Sequence, residues 1–212
     1  MDWVQWRWND KRSKRVLTNN YKFIPLGKLK RLLFIALLVV FACQDEEADS
    51  KFDFPLIDLN PNSSTFEQTV GPADFLGDVC IVFFGHESWG TCRSRFGFLN
   101  SIYLDLVSQY ILDVHILGIG KDQYNEYLNQ MVEGRVLPWM EDSQNEGYPV
   151  WTDWDASQRY VYFLNRGGIV DTTFNITPYS SSNPADYAYI MGLILELRTD
   201  DVPSSVFDVN FK

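Results

Sequence analysis

The feature that most constrains the fold is an uninterrupted apolar run, Val79–Phe84, which reads Val-Cys-Ile-Val-Phe-Phe. In so short a segment, β-branched and aromatic residues favour a strand over a helix. Side chains of a strand alternate between the two faces of its sheet, so this strand presents apolar groups to both faces. Both faces must be covered, which predicts a central strand in a sheet with helices on each side.

The residues after this strand predict a helix and then a second buried strand. From Cys92 onward, apolar residues recur with helical period and share one face: Phe96, Leu99, Tyr103, Leu106 and Tyr110, with Ile102 and Val107 beside them. Residues 114–119 are again mostly apolar and predict a second buried strand. An amphipathic helix is expected over residues 123–133, ended by Gly134.

The remaining elements complete a mixed α/β fold. Residues 54–61 predict a short strand closed by an Asn-Pro turn. Residues 159–164 and 169–174 flank a glycine-rich turn and predict a β-hairpin. A last helix is expected to start with Asn183 as its N-cap and Pro184 as its first residue. The predicted fold class is therefore α/β, a central mixed sheet flanked by helices, with an amino-terminal β extension.

The first 42 residues predict a targeting segment. Three basic residues at positions 28–31 precede an uncharged apolar run at residues 32–42, which is too short to span a bilayer but typical of a secretory signal. The run ends Val-Phe-Ala before Cys43, which resembles the lipobox of bacterial lipoproteins. That resemblance implies cleavage before Cys43 and lipidation of its thiol. A plain signal peptide or an uncleaved anchor, with Cys43 incidental, is the alternative.

The rest of the chain is strongly acidic. Nine of the 18 Lys and Arg residues, but only two of the 28 Asp and Glu residues, fall in residues 1–42. Such a negative body repels nucleic acids and anionic membrane surfaces. We expect no nucleic-acid partner, membrane contact only through a lipid anchor, and export to the periplasm or the cell surface. Residues 43–53 predict a flexible acidic spacer, residues 54–199 one folded domain, and residues 200–212 a loose tail.

Residues 89–92 read Trp-Gly-Thr-Cys at the junction between the central strand and the helix. Their position, in the element order β-β-α-β-α-β-β-α, resembles the thioredoxin family, whose members carry Cys-x-x-Cys there. The resemblance implies a thioredoxin-like domain in which residue 89 attacks a disulfide and Cys92 resolves the mixed disulfide. The start of a helix suits a thiolate, because the helix dipole favours an anion there. Indole has no ionisable proton near neutral pH, so Trp89 itself cannot attack.

A second feature of that family is a cis-proline before a short strand. Tyr148-Pro149, which opens a predicted extended segment at residues 148–151, is similar in position. The resemblance implies a cis bond whose backbone, at Tyr148 and Pro149, binds the substrate peptide. An ordinary trans proline that opens an edge strand is the alternative.

With Ser88 included, the motif is similar to the Ser-Sec-x-x-Cys motif of the amino-terminal domain of selenoprotein P and its bacterial relatives. Selenocysteine is encoded by UGA, so a reading of UGA as Trp would place Trp89 where selenocysteine belongs. Two alternatives stay open. The chain is a family member that has lost its nucleophile and binds polypeptides, or Cys92 works alone.

Other candidate residues favour structural roles. Cys80 lies within an apolar strand and is predicted to be a core residue. His86 is a candidate for tuning a neighbouring thiolate or selenolate, with a solvated loop histidine as the alternative. An aromatic cluster over the sheet edge is expected from three tryptophans, Trp139, Trp151 and Trp154.

The sequence therefore predicts an extracytoplasmic thiol- or selenol-dependent redox protein acting by disulfide exchange or peroxide reduction. Residue 89 would be the nucleophile and Cys92 the resolving thiol, with polypeptide disulfides or peroxide as substrates and an unidentified reductant partner. A redox-inactive, thioredoxin-like module that binds polypeptides is the alternative function. No cofactor and no metal site are expected, because the two histidines, His86 and His115, are far apart and lack a cysteine cluster.

Overall fold

The computed structural model describes residues 52–199. The predicted targeting segment (residues 1–42), Cys43, all but the last two residues of the spacer and the predicted tail (residues 200–212) lie outside the described residues. Within the described range, no helix combines the length and the apolar character needed to cross a membrane.

Two short strands, β1 (Leu56–Ile57) and β2 (Thr69–Val70), pair antiparallel ahead of the main sheet. The main sheet consists of β3 (Val79–Phe84), β4 (Val114–Lys121), β5 (Trp139–Asp142), β6 (Tyr160–Leu164) and β7 (Val170–Asn175). Its spatial order is β5-β4-β3-β6-β7. β4 runs parallel to β3 and β5 parallel to β4, whereas β6 is antiparallel to β3 and β7 to β6. β3 is therefore the central strand of a mixed sheet, as its sequence predicts.

Within residues 52–199, four α-helices accompany the sheet: α1 (Gly90–Ser108), α2 (Leu128–Val132), α3 (Pro149–Asp153) and α4 (Pro184–Thr199). Short 3-10 helices occupy Pro72–Phe75, Asp122–Tyr127 and Gln144–Glu146. The last helix begins as predicted, with Pro184 as its first residue and the Asn183 side chain accepting a hydrogen bond from the Ala185 N–H at 3.1 Å.

The two faces of β3 supply two separate hydrophobic cores, and all six of its side chains are buried. Its odd-numbered residues pack with α1 and α4 on one face of the sheet. Its even-numbered residues pack on the other face with α3 and with residues around β1 and β2. This two-sided burial is the physical reason why the strand carries no polar residue.

Three segments differ from their predictions. The helix expected over residues 123–133 is a 3-10 helix followed by the short α2, and Gly134 follows with a φ of +67°. β5 is absent from the predicted order, because two of its four residues are acidic and give no apolar alternation. α3 replaces the extended segment predicted at residues 148–151. Pro149 is its first residue, where the fixed φ of proline and its missing N–H are tolerated.

Two predictions about aromatic side chains are wrong. Tyr110 follows the end of α1 and is 88% exposed, so it does not share the buried face of that helix. Trp139 packs in the core next to α1, whereas Trp151 and Trp154 pack in the core on the opposite face of the sheet. The three tryptophans therefore form no single cluster.

Candidate active site

Trp89 lies at the junction between β3 and α1, in the position from which the helix starts. It is the N-cap residue of α1, and its carbonyl accepts the Arg93 N–H at 3.1 Å. Its side chain is 45% exposed. A side chain at this position is therefore presented to solvent while its backbone joins the positive end of the helix dipole.

Cys92 lies one turn further along α1 and is fully buried. Burial raises the pKa of its thiol, because a thiolate loses hydration there. A backbone hydrogen bond from His86 and the guanidinium of Arg159 act in the opposite direction, since both favour the thiolate. Residues 89 and 92 are one helical turn apart. Residue 89 is accessible to solvent, whereas Cys92 is enclosed.

His86 lies in the middle of an aromatic stack beside the motif. Its ring stacks on those of Tyr124 and Trp89, with centroid distances of 3.4 Å and 5.1 Å and interplanar angles of 29° and 22°. Its Nδ1 and the Ser88 hydroxyl are 3.0 Å apart, within hydrogen-bond distance. His86 is 4% exposed as a residue, so the alternative of a solvated loop histidine is wrong. Burial and the charge of Lys121 lower its pKa, which favours the neutral imidazole.

Arg159 is the site residue that the sequence analysis missed. It immediately precedes β6, and because β6 is antiparallel to β3, it lies beside the strand end that leads into the motif. Its N–H donates to the Phe84 carbonyl at 2.7 Å, and its guanidinium lies 5.4 Å from the Trp89 ring centroid. The predicted hairpin already placed Arg159 at the start of a strand, but only the pairing of that strand with β3 brings it to Cys92.

Tyr148-Pro149 does not form the predicted cis bend. The bond between them is trans, since the described residues contain no cis peptide bond, and the cis prediction is wrong. Tyr148 instead has a left-handed backbone (φ 56°) and caps α3. Its ring lies 4.3 Å from the Lys121 ammonium, at the end of β4. Trp151 places its own ring 4.6 Å from the same ammonium.

Two glutamates near the motif have buried carboxylate oxygens. Glu87 is fully buried, and its Oε1 accepts the Trp139 indole N–H at 3.2 Å. Its other oxygen and Oε1 of Glu141 are buried without a hydrogen-bond partner among the described residues. Burial raises the pKa of Glu87 to about 7. The backbone N–H groups of Glu87 and Lys121 and the Trp139 side chain donate hydrogen bonds that act in the opposite direction. Burial and the charge of Glu87 raise the pKa of Glu141 to about 8.

The remaining cysteine and histidine side chains form neither a disulfide nor a metal site in the described part of the chain. Residues 52–199 contain no group of three His, Cys, Asp or Glu side chains placed to hold a metal ion. Cys80 and Cys92 are both free and buried, and Cys80 is a core residue of β3, as predicted. His115 pairs with Asp78 at 2.9 Å and stacks on Phe75.

Comparison with known proteins bears on the fold. Neither a protein-family model nor a curated protein matches the sequence. A protein described as the thiol:disulfide interchange protein DsbE from Chlorobium tepidum has 16% identity and a TM-score of 0.52, over 69% of this chain and 93% of that chain. Yeast Sco1 has 16% identity and a TM-score of 0.55, over 72% of this chain and 96% of Sco1. A SCO1/SenC family lipoprotein from Bacillus anthracis has 15% identity and a TM-score of 0.51, over 68% of this chain and 92% of the lipoprotein.

At identities this low, the likeness concerns the fold alone. The α/β class predicted from the sequence is confirmed, and the fold is thioredoxin-like. The relation to selenoprotein P and the lipoprotein signal stay predictions.

Proposed function

We propose that the chain is an extracytoplasmic thiol- or selenol-dependent redox protein that acts by disulfide exchange or peroxide reduction. Residue 89 is the nucleophile, with Trp standing where selenocysteine or cysteine acts, and Cys92 is the resolving thiol. The observation that carries the proposal is the contrast between the two positions. Residue 89 is exposed at the start of α1, and Cys92 is enclosed one turn later.

The surroundings of the motif suit that chemistry. A selenolate or thiolate at position 89 would attack one sulfur of a substrate disulfide, and the other sulfur would leave as a thiolate that takes up a proton. Cys92, as thiolate, would then attack residue 89 and release the second substrate sulfur, which leaves a bond between residues 89 and 92. Arg159 and the His86 backbone favour the thiolate form of Cys92. A dithiol partner would restore the reduced pair.

With a peroxide, the first step differs. A selenolate or thiolate at position 89 would take one peroxide oxygen, and an alcohol or water would leave. The Cys92 thiol would then displace water from the oxidised residue and form the same bond between residues 89 and 92. Both routes end in one product, so the same reductant serves both.

Codon 89 is the first test. If Trp89 stands for selenocysteine, the gene carries UGA at this codon. UGG would contradict the selenocysteine origin and leave the alternative of a lost nucleophile.

A Trp89→Cys variant tests the chemistry directly. We expect it to catalyse the reduction of a protein disulfide by dithiothreitol at least about tenfold faster than the chain with Trp89, because an exposed thiol then lies at the helix start. The matched control is the double variant Trp89→Cys, Cys92→Ser, which can attack but cannot resolve. Equal rates for the single and double variants would contradict the role of Cys92.

Burial of Cys92 argues against the option that it works alone. A water-soluble maleimide should label neither Cys80 nor Cys92 in the folded chain and both in denaturant, with the sites located by peptide mass mapping. Rapid labelling of Cys92 in the folded chain would favour the lone-cysteine option.

A redox-inactive module that binds polypeptides is the second candidate function, and the packing of Trp89 favours it. The indole stacks on His86 and lies under Arg159. A tryptophan with two such contacts fits the site as a native residue. Under either function, Tyr148 and Pro149 contribute to substrate binding from α3, on the Lys121 side of the site, rather than from a cis bend.

We also propose export with a lipid anchor at Cys43. The lipobox-like sequence supports this, and one of the solved structures with the same fold is described as a lipoprotein. Mass spectrometry of membrane-associated protein should find diacylglycerol on Cys43 at the mature amino terminus. A Cys43→Ala variant should appear in the soluble fraction instead.

A further inference from the structure

Two cations near the motif lack an acidic partner in the described part of the chain. Residues 52–199 contain seven Lys and Arg against nineteen Asp and Glu, so carboxylates are abundant. The ion pairs there involve Arg166, Arg198 and His115. None of them involves Lys121 or Arg159. Unpaired cations on so acidic a body are candidates for binding an anion from outside it.

Lys121 and Arg159 differ from the other unpaired cations by sharing an open cleft. Arg93, Arg95 and Arg135 donate to main-chain carbonyl oxygens. The cleft is lined by Lys121 and Arg159 together with Trp151, Ala156, Ser157 and Gln158, and its volume is about 450 Å³. That size suits a small ligand or a few side chains of a peptide.

The Asp142 carboxylate, on which the charge of Lys121 acts, already accepts hydrogen bonds from backbone N–H groups. Burial raises the pKa of Asp142. The charge of Lys121 acts in the opposite direction but is outweighed. The Asp142 oxygens accept N–H groups from Ser143 at 3.0 Å and from Trp151 at 2.9 Å. The ammonium itself lies over the Tyr148 and Trp151 rings, which hold it at the cleft without neutralising it.

Arg159 occupies a costly backbone conformation. Its φ is +66°, where a residue other than glycine, asparagine or aspartate is strained by about 1–3 kcal/mol. Two backbone hydrogen bonds hold it there, from its N–H to Phe84 and from Ile176 to its carbonyl. Its Nε donates to the Thr177 hydroxyl at 2.7 Å, while the guanidinium lies over the Trp89 ring. These bonds fix Arg159 at the edge of the cleft, beside the motif.

We infer that this cleft binds an acidic segment of a polypeptide, with a carboxylate between Lys121 and Arg159 and a neighbouring residue against the exposed Trp89. The inference names the substrate class of the proposed function, and it rests on that function only in taking a polypeptide as partner. The Arg159 guanidinium suits a carboxylate, since its N–H groups match the two oxygens. Repulsion from the acidic body is screened within about 8 Å at physiological ionic strength, whereas the cleft acts at contact.

Fluorescence anisotropy of labelled peptides on the full chain tests the inference. One peptide carries aspartates and glutamates around a central serine, and its match carries asparagines and glutamines. We expect the acidic peptide to bind at least about tenfold more tightly at 0.15 M salt, and to weaken as salt rises. Equal affinity for the two peptides would overturn the inference, as would tighter binding of inorganic phosphate used as a competitor.

Three variants test the residues. Lys121→Met keeps the stem over the two rings without the charge, and Arg159→Asn suits the left-handed backbone without the charge. Each should lower affinity for the acidic peptide at least about fivefold and leave the neutral peptide unchanged. The control, Arg95→Gln, removes a cation outside the cleft and should leave both affinities unchanged. Thermal unfolding checks that each variant is folded.

Loss of affinity in Arg95→Gln equal to that in the cleft variants would overturn the inference, because it would show an effect of net charge alone. Failure of the peptide-binding inference can be told apart from failure of the redox proposal. An inactive Trp89→Cys variant with intact acidic-peptide preference contradicts only the redox chemistry. An active variant without that preference contradicts only the substrate class.

Discussion

At the scale of single residues, Glu87 is a charged loop residue whose side chain is fully buried. It precedes the motif in a segment that looks exposed in the sequence, yet its side chain is fully buried against Trp139. Burial raises its pKa to about 7, so the folded state retains a proton that the unfolded chain releases near pH 4 to 5. Stability from this group is therefore full at acidic pH and is lost as pH rises toward 7.

A Glu87→Gln variant should be more stable than the natural chain at pH 8, by about 2–3 kcal/mol, and nearly equal to it at pH 4. The amide keeps an oxygen for the Trp139 indole N–H and cannot ionise. Urea unfolding at several pH values measures the difference. Glu126→Gln, at an exposed position, is the matched control and should show no such pH dependence. A stabilisation equal at pH 4 and pH 8 would contradict the raised pKa.

Site residues were predictable only where a local pattern identified them. Trp89 and Cys92 follow from the strand-to-helix junction, which local sequence encodes. Arg159 lies 67 positions beyond Cys92, and its role depends on strand pairing. No spacing rule connects two residues that meet through a sheet.

At the scale of elements, strands and helices with continuous apolar patterns were predictable, and short ones were not. β3, β4, the β6–β7 hairpin, α1 and α4 match their predicted positions closely. β5 and α3 have four and five residues and depend on their neighbours. The Asp142 carboxylate accepts the Trp151 N–H at the start of α3, a contact that no local pattern reveals.

Gly118 illustrates how closely β4 packs against its neighbours. A Cβ at this position would overlap the Trp139 ring and lie 2.7 Å from Phe96 Cε2. Both rings are fully buried and have no room to move. Gly118→Ala should therefore destabilise the fold by about 1–3 kcal/mol, measured by urea unfolding.

The matched control is Gly192→Ala in α4, where a Cβ would meet nothing within 4 Å. It should stabilise the fold by up to about 1 kcal/mol, because alanine is the better helix former. If both variants changed stability in the same direction, close packing at Gly118 would not be the cause.

At the scale of the whole molecule, Asp113 joins parts of the chain that are distant in sequence. Its two oxygens accept hydrogen bonds from Arg166, in the hairpin turn, at 2.5 Å and from Arg198, near the end of α4, at 2.8 Å. Partial burial acts to raise the pKa of Asp113, but the hydrogen bonds from Arg198 and Arg166 outweigh it and hold the pKa below its usual range. Its contribution to stability is present at neutral pH and is lost as pH falls through the lowered pKa.

Asp113→Asn should destabilise the fold by about 1–2 kcal/mol at pH 7, because it weakens two charge-assisted hydrogen bonds. Near pH 2 the difference from the natural chain should shrink, since the carboxyl then loses its charge. Thermal unfolding across this pH range measures both. Asp171→Asn, at an exposed position on β7, should have little effect at either pH. An undiminished difference at pH 2 would contradict the ionic origin.

The sequence by itself determined the central strand, the α/β class and the motif at the start of α1. Each depends on neighbouring residues whose alternation or helical period is visible along the chain. Only the tertiary structure decided that residue 89 is exposed, that Cys92 and Glu87 are enclosed, and that Arg159 lies beside residue 89 and Cys92. Burial and strand pairing join residues far apart in the chain, so accessibility, pKa and the composition of the site arise from packing.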